Sequence, residues 1–402
     1  MESLREFILN NWANTIREVK TDSGTLIALP KPFTIPSIND YFQEMFYWDT
    51  YFTNVGLVRD GLRVQAENNC ENFRYLVERF GFIPNGTRTY YLSRSQPPYF
   101  AFAVNDLYGN SDELLNYYGS LKKEYEWWMK NRCTDIGLNR YGDNGVLDSE
   151  YLEGAQYAMK RMLLKDYKGD KKELGKDHFA VCESGWDCSP RFDGVECRNA
   201  CPIDLNCNLW FYEKLLGKIK ERFCIEDDND WKGKADARKA AIIKYMRDDA
   251  TGLYYDYNFK TGKKFKCLSA ATFHPYFVMM EDVKRTDGLK NAYLALVKEY
   301  GLCCTEKDYG FYQWSYPNGW APLHYIAYVA LKNYGFNAKA RELAEKWTSL
   351  LEKVYNKTGT TYEKYNVIAG NDDTFDEGNI HHTMMGWTSG VYSFFKDELA
   401  NE

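Results

Sequence analysis

Apolar residues recur at helical spacing along most of the chain. Leu4, Ile8, Trp12 and Ile16 repeat every four residues, and Leu62, Ala66, Asn69, Phe73, Leu76 and Phe80 trace one face of a longer segment. The same periodicity predicts helices over 2–19, 62–80, 98–108, 111–130, 151–167, 203–223, 230–247, 270–282, 285–300, 320–334, 337–356 and 384–398. Gly81, Gly301 and Gly335 follow periodic runs, and Ser111 and Asp204 stand where helix caps belong. The fold class read from this pattern is all-α.

Connection lengths add an architecture. From residue 203 onward, short links at 224–229, 283–284 and 335–336 alternate with long ones at 248–269, 301–319 and 357–383. A ring of antiparallel helical hairpins produces such alternation, with the long loops gathered at one end. Six hairpins make an (α/α)6 barrel. In the first half the parity fails, because 81–97 is long and 109–110 short; a further helix starting near Trp48 would restore it. No linker, low-complexity tract or shift of composition marks a boundary, so residues 1–402 are expected to form a single domain.

Composition changes this picture in two ways. Aromatic residues make up 17 % of the chain, with 33 Tyr and 11 Trp, which suits either a ring-rich core or a pocket lined with flat amphipathic faces. The balance of 51 basic and 57 acidic residues, net −6, has no basic stripe, so neither nucleic acid nor an anionic membrane is expected as a partner. No apolar run is long enough to span a bilayer. Glu2, Arg5 and Glu6 break any signal-peptide pattern at the N-terminus, and a cytoplasmic location is expected from that. Eleven cysteines are then read as reduced thiols. Cys182, Cys188, Cys197, Cys201 and Cys207 lack the paired spacing of a zinc site, and the adjacent His381 and His382 lack a third ligand, so no metal is expected.

The distinctive stretches lie in or beside the long connections: "YFQEMFYWDTYF" (41–52), "GFIPNGTRTYYLSRSQPPY" (81–99), "CESGWDCSPRF" (182–192), "CPIDLNCNLW" (201–210), "YQWSYPNGWAP" (312–322), "TTYEKYNV" (360–367) and "MGWTSGVY" (385–392). Each mixes Trp or Tyr with acids, amides or arginine. That is the composition of a cleft for polyhydroxyl compounds, rings against C–H faces and planar polar groups on hydroxyls. In identity and order these stretches resemble trehalase, glycoside hydrolase family 37, an inverting α-glucosidase family with an (α/α)6 barrel. The likeness runs from about residue 36 to 395.

The resemblance implies a small α-glucoside, trehalose or a relative of it, as substrate, and no cofactor. Asp187 in "ESGWD" matches the family's general acid and Glu363 in "YEKY" its general base. Trp48, Asp49, Asn85, Arg88, Gln96, Gly185 and Trp314 match positions around the sugar, and Phe42 belongs with them. Hydrolysis requires one carboxyl kept protonated and another kept ionised. Burial beside Trp186 would raise the pKa of Asp187, and Lys364 would help hold Glu363 ionised. Blander roles stand beside these: Asp49 as a helix cap, Arg88 as half of a structural ion pair, Trp314 and Trp320 as core, Glu183 as a loop support.

The sequence also departs from the family. Tyr41 stands where an arginine is usual, residues 145–151 lack a second, and Ser315 replaces an aspartate. Of three pocket arginines only Arg88 is matched, and a late binding glutamate has Glu377 as its counterpart. Trehalose is therefore one candidate substrate, and a glucosylglycerate or mannosylglycerate of the kind cleaved by family 63 relatives is another. Outside hydrolysis, an inactive sugar-binding protein is the alternative; an epimerase is disfavoured, because none of the five histidines falls in the matched motifs. The oligomeric state is left open.

Overall fold

The computed structural model describes residues 2–38, 42–162, 164, 167–310, 312–374 and 384–401. Tyr41, Glu377, His381 and His382 lie outside them. Among the described residues there are fourteen α-helices: α1 (Leu4–Asn11), α2 (Tyr47–Arg59), α3 (Arg63–Phe80), α4 (Phe100–Tyr108), α5 (Tyr118–Arg132), α6 (Asp148–Arg161), α7 (Lys171–Ser184), α8 (Ile203–Arg222), α9 (Trp231–Met246), α10 (His274–Phe277), α11 (Asp287–Leu296), α12 (Ala321–Asn333), α13 (Asn337–Thr358) and α14 (Gly386–Ala400).

Packing sorts twelve of them into two rings. In the inner ring α2 touches α4, α4 touches α8, α8 touches α10, α10 touches α12, α12 touches α14, and α14 returns to α2. The outer ring is α1, α3, α5, α9, α11 and α13, each of which directly follows an inner helix in sequence except α1. That helix closes the circle instead by packing on α13, and its Arg5 bonds Ser393 of α14. The result is an (α/α)6 barrel. The remaining pair, α6 and α7, packs on itself between the second and third hairpins and delivers the segment that carries Asp187.

Two helices escape the periodicity, for different reasons. The expected extra helix near Trp48 is α2, whose Tyr47 to Asn54 are all buried. A helix enclosed on every side has no polar stripe to reveal its period. It also meets α14 almost backbone to backbone: a Cβ on Gly56 would stand 2.3 Å from Gly390 Cα. The unforeseen α7 hides for another reason, because its buried face includes Gly175, Asp177, Glu183 and Ser184, and small or charged residues do not register as an apolar stripe.

Caps mostly follow expectation. Gly81 and Gly335 take the left-handed conformation beyond α3 and α12, and Ser111 accepts a hydrogen bond from Glu113 N–H. Gly301 is one exception, because α11 already ends at Leu296, and Asp204 is the other. It lies inside the first turn of α8, where Arg191 claims its carboxylate, and the Ile203 N–H is satisfied by Asp256 at 3.0 Å instead. All eleven cysteines are free. No helix of the described residues is long and apolar enough to cross a membrane.

Candidate active site

A cavity opens at the end of the barrel where α2, α12 and α14 begin and where the segments leading into α4 and α8 pass. It has about 140 Å³ of room, within about 640 Å³ of empty space that is partly open to solvent. Among its lining residues are Asp187 and Glu363, with Phe42, Trp48, Asp49, Asn85, Gln96, Gly185 and Trp314. Nine of the twelve residues expected at the site therefore meet in one place. Tyr41 and Glu377 lie outside the described residues, and Arg88 is not brought in.

Local geometry explains each placement. Trp48 and Asp49 sit in the first turn of α2, fixed by the Trp48 N–H, which donates to Gln96 Oε1 at 3.1 Å. Asn85 donates through Nδ2 to the carbonyls of Ser95 and Cys182, at 3.3 and 3.2 Å, tying the 81–99 loop to the last turn of α7. Gly185 ends α7 at φ +71°, and a Cβ there would lie 2.8 Å from the Trp48 indole, so only glycine fits both the turn and the ring. Beyond it the chain turns, and Asp187 faces the cavity while Gln313 Nε2 holds its backbone carbonyl at 2.9 Å.

Two buried ion clusters brace this segment. Glu183, fully buried, accepts from Arg132 at 2.7 and 2.8 Å, from Ser95 N–H at 2.9 Å and from Gly142 N–H at 2.7 Å. It supports loops and does not face the cavity. Arg191 bridges Asp204 and Asp256, with Nη2 at 2.9 and 2.8 Å from them, and lies 4.4 Å over the Trp186 ring. Trp186 is thus packed beneath the site, against Arg191 and Trp314, and does not line the cavity beside Asp187.

Three carboxyl groups share the cavity. Burial, the charge of Glu363 and that of Asp187 push Asp49 up to about 8. Burial is also the largest influence on Asp187, which rises to about 6 although Arg161, Arg94 and a Cys182 hydrogen bond oppose it. Its Oδ1 has no hydrogen-bond partner among the described residues. Glu363 stands 3.2 Å from Lys364 Nζ, so the neighbour in sequence does point to the same carboxylate. Asp49 is not a helix cap: it is the third residue of its helix, and the backbone hydrogen bond it accepts comes from its own N–H.

Arg88 is corrected by its partners. Its Nε lies 3.0 Å from Glu44 Oε2 and its Nη1 donates to Thr25 at 2.9 Å, which holds the guanidinium outside the lining. The arginine that does line the cavity is Arg94. Residue 94 is extended backbone, and alternate residues of an extended segment share a face, so Arg94 and Gln96 point one way while the Ser95 hydroxyl turns back to Ile83 O. That alternation is present in "RSQPP" and singles out Arg94 over Arg88. Trp320, Trp387, Phe46, Tyr91, Gln313 and Cys182 also line the cavity unforeseen. Trp320 stacks on Trp314 at 3.8 Å and 6°, Trp387 meets both edge-on, and the Trp387 Nε1 has no partner among the described residues. A short antiparallel pair, Asn318–Trp320 against Lys364–Asn366, sets Trp320 opposite Lys364 and so brings the tryptophan wall to Glu363.

A family model described as Trehalase matches residues 3–399. A periplasmic trehalase of Pseudomonas aeruginosa is 32% identical over 394 residues, covering 92% of this chain and 71% of that protein. Among solved structures, neutral trehalase Nth1 from Saccharomyces cerevisiae superposes with a TM-score of 0.78 at 28% identity, over 98% of this chain and 79% of that one. A mannosylglycerate hydrolase of family 63 from Thermus thermophilus gives 0.68 at 16% identity, over 98% of this chain and 100% of that one, a likeness of fold alone. The cytoplasmic expectation is overturned here. Relatives from Pseudomonas and Xanthomonas are named periplasmic trehalases, and of the charged N-terminal residues behind that expectation Arg5 and Glu6 belong to the capped first turn of α1, where they report a folded helix and no compartment. With the family's motifs gathered round one cavity and the match running over nearly the whole chain, this protein belongs to the trehalase family of glycoside hydrolases.

Proposed function

We propose that the chain, acting as one domain, hydrolyses trehalose with inversion at the attacked anomeric carbon. Asp187 donates its proton to the glycosidic oxygen as that bond breaks. Glu363 takes a proton from the water that attacks the opposite face, leaving one β-glucose from the attacked ring and one α-glucose as the leaving group. The observation that carries this reading is the contrast between the two carboxyls. Asp187 has a free Oδ1 in a desolvated setting that keeps a proton to about pH 6, while Glu363 has Lys364 at 3.2 Å. Asp49, protonated at neutral pH, serves the sugar as a hydroxyl donor, with Asn85, Gln96 and Arg94 beside it and the tryptophans against the ring faces.

The test follows product anomers by proton NMR. Equal α- and β-glucose at early times, abolished by Asp187→Asn, fits the proposal; two α-glucose molecules would mean retention, and no release from trehalose would mean another substrate. One observation favours keeping a second substrate in that assay. Among the described residues Arg94 is the one arginine in the lining, so the leaving-group side is poor in guanidinium. Glucosylglycerate and mannosylglycerate belong in the same panel.

A further inference from the structure

A second cavity lies farther along the inner helices, lined from the later turns of α2, α4 and α14 and from α12, with about 280 Å³ of room. Drug-sized pockets begin at ~300 Å³, so this one has the scale of a single sugar ring. Rings of Tyr51, Tyr325 and Phe394 line it, with Asn54, Asp106 and Arg59. Phe52, fully buried, separates it from the catalytic cavity: its ring touches Trp48 on one side and both Tyr51 and Tyr325 on the other.

Two features of this chamber call for a ligand. Asn54 is 4 % exposed, and its Nδ2 has no partner among the described residues, while its Oδ1 accepts from Asn69 at 2.8 Å. An unpaired amide in a cavity wall costs free energy that a ligand oxygen would recover. Asp106 accepts from Tyr51 Oη at 3.1 Å and has no cationic partner among the described residues. Arg59, the one cation in the wall among those residues, is held by Asp397 and by Glu398 at 2.8 Å, with its guanidinium 4.8 Å over Phe394.

The charges decide the ligand class. A cation would face Arg59 and an anion would face Asp106, so neither is favoured. A neutral polyhydroxyl compound meets a donor in Asn54 Nδ2, an aspartate able to accept or donate because burial raises it to about 7, and aromatic faces for its C–H groups. We propose that this chamber, walled off from the catalytic cavity by Phe52, is a second binding site for one neutral polyol ring such as a hexose. The proposal goes beyond the hydrolase reading and does not depend on it.

The experiment counts bound ligand. Radiolabelled D-glucose is equilibrated with the full chain by dialysis, for the wild type and for Val58→Trp. Val58 lines the cavity yet is 36% exposed, so an indole there fills the chamber from its open side without disturbing the core. Saturation stoichiometry is expected to fall by one glucose per chain in Val58→Trp, whether or not the catalytic cavity retains glucose too, with turnover of trehalose unchanged. Asp106→Leu, which removes the polar partner without filling space, is expected to weaken the same component at least tenfold. Equal stoichiometry in wild type and Val58→Trp overturns the proposal, as does a component lost in Trp314→Ala and unchanged in Asp106→Leu.

Discussion

Asp49→Asn tests the electrostatics of the catalytic cavity without changing its shape. In the folded chain the Asp49 carboxyl is pushed up to about 8, from an ordinary value of 3.8, first by burial and then by Glu363 and Asp187. Between those two pH values the unfolded chain has lost the proton and the folded chain keeps it. The folded state then binds more protons, and stability falls as pH rises, by about 1.4 kcal/mol per pH unit. From pH 3.8 to about pH 8 the loss sums to about 6 kcal/mol. Asparagine carries no such proton, so the variant gains on the wild type from pH 5 to pH 9 by about 4 kcal/mol, because the loss stops near pH 8. At ~2 °C per kcal/mol for a large chain, the difference in Tm between variant and wild type should swing by roughly 8 °C over that range. Thermal unfolding of both proteins at pH 5, 7 and 9 measures it. If the difference in Tm is the same at pH 5 and pH 9, the carboxyl is not held protonated and the donor role given to Asp49 fails with it. Below pH 7 Asp49 is neutral, so the substitution should leave the alkaline limb of kcat against pH, set by Asp187 at about 6, where it was.

The other predictions are shorter. Asp187→Asn should lower kcat by about 10²–10⁴, the usual worth of a positioned acid, with KM for trehalose nearly unchanged in steady-state assays. Arg94→Ala removes a charged hydrogen-bond donor from the cavity and should cost about 1.5–3 kcal/mol of transition-state binding, roughly 10- to 100-fold in kcat/KM. Arg88→Ala, outside the lining, should change kcat/KM less than about threefold. Gly185→Ala meets both a positive φ, worth ~1–2 kcal/mol, and the Trp48 indole at 2.8 Å. A lower Tm together with a loss of kcat/KM larger than that of Arg88→Ala is the expected result. Arg191→Met leaves Asp204 and Asp256 buried without their cation and should destabilise the chain by about 3–5 kcal/mol, read by urea unfolding.

Legibility in the sequence followed physical character. Helices with one wet face, such as α3 and α13, announced themselves by period, and the end of α3 by its glycine. α2 and α7 did not, since one is enclosed and the other presents small and charged residues to its neighbours. At the site, positions matched through the family resemblance were legible: Trp48, Trp314, Gln96 and the glycine before Trp186 all reach one cavity. The failure at Arg88 has a different origin. Arg88 and Arg94 stand in one loop, and which of them is consumed by an ion pair depends on Glu44, which belongs to another segment far upstream. Partners distant in sequence decide whether a charge is structural or free.

The same rule explains why two acids in "CESGWDCSPRF" have opposite fates. Glu183 and Asp187 are close neighbours in sequence, and both leave the surface. Glu183 still lies within α7, where Arg132 and the N–H groups of Ser95 and Gly142 converge on it, so its acceptor capacity is used inside the protein. Asp187 follows the left-handed step at Gly185, which turns the chain out of the helix and away from that cluster. It gains desolvation without acquiring a salt-bridge partner among the described residues, and one oxygen remains unbonded there. Charge neutralisation makes a buried carboxylate inert, whereas burial without it raises the pKa and leaves a proton to give. The step that separates the two outcomes is a single glycine, held as glycine by the Trp48 ring that also forms a wall of the cavity.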